Sequence, residues 1–429
     1  MNIKEVNRDY GRHFLVVAVI FVWALIIHSF FVNGYIETWY KWHFPAKMPP
    51  FSDFRLIPSS AEAFRMGLDP SVTNPTNPRG HLFNYPKAWY IFFFTGITQD
   101  DTIWIVTTML VTFFLVLFAF PEKLSVLDAL LMLGLCFSPA AMLLYERGNV
   151  DMAMFTLCGA VILLARKMPW WAVLTLSVAA IFKLFPFFGI GIFLRENRKD
   201  FYKYALACAL LLGVYLALTY QDLSVAWNLT QRGTYLSYGD QVIFTLYWAY
   251  LRYYLLRVMS EEQIISLLAV LPHVAALGVL VFSYWIGAGN KQPLTTKVKG
   301  NLDAFRMGAF IFIGTFLLGN NWDYRLVFLI FTIPQLSGWL FDGERPVRPA
   351  AFVVLLSILA SCWYTTISKY FFVLSDSRYG LGFATYDEIA NWLVFAGLTY
   401  FIAWSAPQWV RSWAWKPFFM NQQTAQFKK

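Results

Sequence analysis

The sequence predicts an all-helical, polytopic membrane protein, and three observations carry that reading. Of the 429 residues, 58% are hydrophobic and only 14% charged, too little charge to cover a soluble protein of this size. Apolar runs near the length needed to cross a bilayer recur along the chain. Short loops rich in Lys and Arg fall between them, as on the cytoplasmic face of a membrane protein. The net charge of +9 would suggest nucleic acid in a soluble domain. Here it reads as loops facing anionic membrane lipid, so no nucleic-acid partner is expected.

The first run, from about Phe14 to Val32, follows Lys4, Arg8 and Arg12 and is long enough to span. Asn33-Gly34-Tyr35-Ile36-Glu37 after it has no small-residue cleavage pattern, so the run reads as an uncleaved first helix. Further runs lie at about 103–120, 126–145, 151–165, 204–220, 264–286, 304–319, 325–341, 350–372 and 389–405. The basic loops hold Lys123; Arg166 and Lys167; Arg195, Arg198, Lys199 and Lys203; Lys291, Lys297 and Lys299; Arg345 and Arg348; and the tail from Arg411 to Lys429. All are expected inside, with both termini cytoplasmic, in a plasma membrane (in bacteria, the inner membrane).

Placing both Lys167 and Arg195 inside forces the apolar stretch Trp170 to Leu194 to enter the membrane and return. Each leg then reaches only about 18 Å at 1.5 Å per residue, too short to cross fully. A hairpin of two short helices is predicted, turning at Lys183-Leu184-Phe185-Pro186, where proline suits the break. Residues 86–98 and 241–258 are read as helices lying along the outer face. The total is about twelve membrane segments in a single domain, 1–429, with residues 33–102 as the first outer loop. The four cysteines sit in apolar runs and read as small hydrophobes.

Threaded this way, the polar clusters that interrupt the apolar runs fall on the outer side. They are Ser52-Asp53-Phe54-Arg55, Leu68-Asp69-Pro70, Asn84-Tyr85-Pro86-Lys87, Glu146-Arg147-Gly148-Asn149-Val150-Asp151, Lys183, and Asn320-Asn321-Trp322-Asp323-Tyr324-Arg325. Charge at membrane depth costs a few kcal/mol per residue, so several such groups together argue for a shared polar cavity. Lys87, Arg147, Lys183 and Arg325 can converge on an anion, with Asp53 in a loop above them. Cations beside one carboxylate suit a phosphate-bearing lipid and a base that takes a proton from a nucleophile. Tyr85, Asn149, Asp151, Asp323 and Tyr324 are the supporting residues of this group.

At these positions the chain resembles the integral-membrane glycosyltransferases of the C-type fold, most closely family 87, which includes polyprenyl-phosphate-mannose-dependent mannosyltransferases. The resemblance lies in Asp53, Ala61-Glu62-Ala63-Phe64, Gly67-Leu68-Asp69-Pro70, Asn84-Tyr85-Pro86, Arg147-Gly148-Asn149-Val150-Asp151, Lys183-Leu184-Phe185-Pro186 and Asp323-Tyr324-Arg325, in the family's order. It implies that Asp53 is the catalytic base and that Lys183 and Arg325 hold the lipid phosphate. The chain departs from the family at Lys87, where a second proline is usual. The implied reaction is inverting. A sugar, mannose or another hexose, passes from a polyprenyl-phosphate donor to a lipid-linked or cell-envelope glycan acceptor, with no cofactor and no metal demanded.

Other readings stand beside these. Asp53 could pair with Arg55 or cap a short helix, and Lys183 could snorkel to outer headgroups. Arg147 and Arg325 have acidic neighbours in Glu146, Asp151 and Asp323, so ion pairs that pin helix ends compete with ligand contact. The rival functions are a transporter or flippase of a phosphate-bearing lipid, and an envelope polysaccharide polymerase or ligase. The long first loop and the absence of repeat symmetry weigh against the former.

Overall fold

A computed structural model describes residues 3–233, 235–290, 294, 298–344, 346–372 and 380–412 of the chain. It is mostly helical, with one short antiparallel strand pair, Ser237–Tyr238 with Asn321–Trp322, among the described residues. Five helices there are long and apolar enough to cross a membrane: Tyr10–Asn33, Gln99–Ala119, Arg198–Leu229, Glu261–Ala288 and Asp323–Asp342. Two bent pairs, Val126–Cys136 with Pro139–Arg147 and Arg348–Cys362 with Tyr364–Tyr370, raise the number to seven if each is one span.

The difference from the expected twelve has identifiable causes. The run at 126–145 breaks by 54° at Phe137 and Ser138. There the Ser138 hydroxyl caps the next helix and Pro139, which has no N–H to satisfy, occupies its first turn. The run at 350–372 bends by 71° around Trp363, whose indole N–H donates to the Gly134 carbonyl. Asp151–Leu164, Pro169–Phe182 and Phe185–Arg195 are helices of only 14, 14 and 11 residues. The run expected at 389–405 is the end of a longer helix, Gly380–Ser405. Lys291, Lys297, Arg345 and the tail beyond residue 412 lie outside the described residues.

The hairpin forms at the expected turn. Pro169–Phe182 ends as Lys183 adopts an extended backbone, and Pro186 opens the returning segment Phe185–Arg195. That return leg is a 3₁₀ helix, which rises about 2.0 Å per residue, so it reaches roughly 22 Å and not the shorter distance an α-helix would give. Lys87–Thr95 and Asp323–Thr332 are also 3₁₀ helices, and each likewise begins beside a candidate site residue.

Helix ends gather at two poles. At one, Arg12 donates to the Pro121 carbonyl, Arg166 to the Phe120 carbonyl, the Gly300 N–H to Glu122, and Arg195 pairs with Asp303 at 2.9 Å. At the other, the first loop meets the end of Pro139–Arg147, the start of Asp151–Leu164, the hairpin tip and the start of Asp323–Thr332. Thr102–Ala119 runs between the poles, separating them by about 27 Å.

Aromatic rings fill the interior: Phe155 stacks on Phe331 at 4.2 Å and Phe316 on Phe395 at 4.4 Å. The returning leg locks against helix Lys299–Leu317 by exchanging bulk for space, Phe188 facing Gly314 and Phe310 facing Gly191. A Cβ on Gly314 would sit 2.1 Å from the Phe188 ring. Gly314→Ala is therefore expected to destabilise the detergent-solubilised protein by about 1–3 kcal/mol through overpacking. Gly213→Ala, with open space around it, should leave the unfolding midpoint unchanged or raised. Equal midpoints for the two variants would contradict this packing.

Candidate functional site

The Arg147-Gly148-Asn149-Val150-Asp151 stretch organises the site through its backbone. Gly148 ends helix Pro139–Arg147 in the left-handed region, φ +59°, and a Cβ there would lie 2.7 Å from the Cβ of Phe51. Glycine thus serves both the turn and the close approach of the first loop. With Phe51 seated on Gly148, the N–H groups of Asp53 and Phe54 donate to the Arg147 carbonyl at 3.0 and 3.4 Å. Asp53 is thereby delivered to Asn149, whose side-chain amide donates to its carboxylate at 2.9 Å.

From Asn149 the contacts continue inward. Its side-chain carbonyl accepts from the Asp151 N–H at 3.0 Å and from Lys183 Nζ at 3.4 Å. Asp151, the first residue of its helix and fully buried, shares its carboxylate between two cations. Lys183 takes one oxygen, and the guanidinium of Arg325 takes the other at 3.1 Å. Arg325 also donates to the Asn321 side-chain carbonyl and stacks over Phe185, 4.9 Å from its centroid. Lys183 lies 5.7 Å from the Tyr85 ring and 5.9 Å from that of Phe185. Asp53, Asn149, Lys183, Asp151 and Arg325 therefore form one continuous polar group drawn from four separate parts of the chain.

Donor capacity remains on the cations. Lys183 has three N–H donors with two engaged, and Arg325 has five with its Nε–H and one Nη1–H engaged. Their side chains are 12% and 18% exposed, and Asp53 is also partly exposed, while Asn149 and Asp151 are buried beneath them. An anion approaching from the open side would meet charged donors in an environment that water screens poorly.

The other candidates are placed differently. Arg147 is pinned by Glu146 at 3.2 Å, by the Pro45 carbonyl at 3.1 Å and by Ser52, so its guanidinium braces the first loop. Lys87 is half exposed and pairs with Asp222 at 2.8 Å on helix Arg198–Leu229. Asp323 does not pair with Arg325; it is buried and interacts electrostatically with Asp387. Asp53 neither pairs with Arg55, which binds the Pro50 carbonyl and Gln99, nor caps a helix with its side chain. Asp101 of the Asp100-Asp101 pair is a capping residue for Thr98. Among the described residues, no three or more His, Cys, Asp or Glu are grouped to hold a metal ion.

Two polar groups escape the sequence reading. Asp387 accepts from Ser361 and Asn391 at 2.9 and 3.2 Å, with buried Glu388 beside it; a helix begun at residue 389 leaves both acids out. His273 Nδ1 lies 2.6 Å from Asp240, 33 residues away in a chain that has no local signal for the pairing.

No known protein family, curated protein or solved structure matches the chain.

Removing the shared carboxylate leaves two cations unpaired in a largely buried setting. Asp151→Ala is expected to cost about 3–5 kcal/mol, whereas Lys87→Ala, at a half-exposed pair, should cost under about 1 kcal/mol. Chemical denaturation in detergent reads both values, and a smaller loss at Asp151 than at Lys87 would overturn the assignment of Asp151 as the hub.

Proposed function

We propose that the protein is a membrane-embedded glycosyltransferase of the C-type fold, resembling family 87, that moves a hexose from a polyprenyl phosphate to a glycan acceptor. The observation that carries this reading is the bridge through Asn149 from Asp53 to the Lys183 and Arg325 pair. It joins a partly exposed carboxylate to cations that retain unused donors.

In the proposed reaction Asp53 takes the proton from an acceptor hydroxyl, which attacks the anomeric carbon while the polyprenyl phosphate departs. Lys183 and Arg325 stabilise the charge growing on the phosphate, so the leaving group needs no separate acid. Asn149 orients the Asp53 carboxylate, and Asp151, itself buried, holds the two cations from beneath. Tyr85 and Phe185 flank the cations with apolar surface, which strengthens their hold on an anion.

A lipid donor is supported by the surroundings of the cations. Helix Arg198–Leu229 packs on both legs of the hairpin, and Glu261–Ala288 packs on Gly380–Ser405. Each presents a broad exposed apolar face, including Leu206, Leu210 and Val214 on one and Val270, Val274 and Val281 on the other. The returning hairpin leg and helix Lys299–Leu317 lie among these elements with Phe187, Phe188 and Phe310 only partly buried, a surface suited to an isoprenoid chain. The twelve-segment topology belongs to this reading, with the short central helices and hairpin legs counted as membrane segments. The pole bearing Arg12, Arg166 and Arg195 is then cytoplasmic and the Asp53 pole is outer.

Purified protein, a radiolabelled polyprenyl-phosphate hexose and a membrane extract as acceptor test the reading. Asp53→Asn is expected to lower transfer by at least about 100-fold with donor binding retained. Lys183→Met and Arg325→Met should instead weaken donor binding. Movement of intact lipid across vesicles without a new glycosidic bond would replace this reading with that of a flippase. A cysteine at position 183 should react with an impermeant thiol reagent added from the outer side, and labelling from the cytoplasmic side alone would invert the topology.

A further inference from the structure

A cavity of about 590 Å³ opens beside the first loop, with neither Lys183 nor Arg325 in its lining. Its walls come from four parts of the chain: Tyr40 to Pro45, the approach to the short strand pair at Tyr235 and Leu236, the bend after Trp363 with Tyr364, Thr365 and Lys369, and Ala384 of helix Gly380–Ser405. It is distinct from the cation group in its chemistry, being rich in tyrosine rings and hydroxyls.

Three observations mark it as a ligand site. His43 Nδ1 and Thr365 Oγ1 are buried polar atoms without a protein partner, and both residues line the cavity. An unsatisfied buried donor or acceptor costs about 1–3 kcal/mol, so both atoms carry a penalty in the cavity wall. Second, the non-glycine residues with positive φ among the described residues are His43, Phe51 and Leu236, and two of the three line this cavity. Left-handed backbone at a bulky residue costs of order 1–3 kcal/mol and concentrates at ligand sites. Third, burial together with the nearby Lys369 ammonium lowers the His43 pKa from its ordinary value, which favours the neutral imidazole with one donor and one acceptor nitrogen.

The cavity is also tied to Asp53. The Pro45 carbonyl in its wall accepts from the Arg147 guanidinium at 3.1 Å, and the Arg147 main-chain carbonyl accepts from the Asp53 N–H at 3.0 Å. One residue thus holds the cavity wall at its side chain and the candidate base at its backbone.

We propose that this cavity binds an uncharged hexose unit of the acceptor glycan, an assignment that rests on the glycosyltransferase reading above. Tyrosine rings offer apolar faces to a sugar's C–H surface, while His43, Thr365 and Ser368 answer its hydroxyls. The lining has Lys369 as its charged residue, at the rim and exposed, so the cavity suits a neutral ring better than a phosphate.

The test is direct binding without donor, by saturation-transfer NMR on the full chain in nanodiscs, using methyl and octyl α-mannoside and α-glucoside. At least one hexoside is expected to bind, and Tyr40→Ala and His43→Asn to weaken it roughly tenfold. Asparagine tolerates the left-handed backbone, and Tyr40 is half exposed, so both variants should fold. Tighter binding of the octyl forms identifies a lipid-linked acceptor, and equal binding a free glycan. In the transfer assay the same variants should raise acceptor KM with donor KM unchanged. No binding of any hexoside, or equal binding in wild type and both variants, would overturn the site. Hexoside binding that survives Asp53→Asn while transfer is unaffected by that change would leave the sugar site standing and remove the catalytic reading instead.

Discussion

The site depends on one buried carboxylate serving two cations. Asp151 is fully buried, and each of its oxygens meets a positive charge, Lys183 from the hairpin tip and Arg325 from the start of a 3₁₀ helix. Three separate charges at this depth would each carry a large desolvation cost, which close pairing offsets. The arrangement also ties together three segments that lie far apart in the chain. Asn149 then extends it to the first loop, using its amide for Asp53 and its carbonyl for Lys183.

This junction constrains the lengths of the surrounding helices. For the hairpin tip to meet the start of Asp151–Leu164, both legs must end at the level where the helix begins, and all three elements are short. The long helices Arg198–Leu229 and Glu261–Ala288 stand outside them with apolar faces exposed, forming the boundary that lipid would contact. Glycines at the seams, Gly191 and Gly314, leave room for the rings of Phe310 and Phe188, so the returning leg packs closely on helix Lys299–Leu317. Low polarity below and partial exposure above give the cation pair its direction.

Arg147 shows how a residue can matter without facing a ligand. Its guanidinium is spent on Glu146, Ser52 and Pro45, and its carbonyl on Asp53 and Phe54. It fixes the first loop over the cation group on one side and supports a cavity wall on the other. The two halves of the proposed chemistry, an anion held by cations and a neutral ring held by aromatic and hydroxyl groups, are therefore set at a fixed separation by a single brace.

Composition and the spacing of the apolar runs were enough to predict a mostly helical chain with helices long and apolar enough to cross a membrane and a turn at Lys183, and the polar interruptions pointed to Asp53, Lys183 and Arg325 lying together. Those inferences follow from burial cost and from the length of a helix, both of which act on the sequence in one dimension. Which side chains touch depends on rotation about each helix axis and on how helices are wound. Asp323 and Arg325 are two residues apart on a 3₁₀ helix, about 240° around its axis, so they face different neighbours despite their adjacency in sequence. The same holds for Lys87, which turned to Asp222, for the Asp387 and Glu388 pair, and for the cavity between Tyr40 and Thr365. Only tertiary packing decided these, because each joins segments whose spacing along the chain carries no periodic signal.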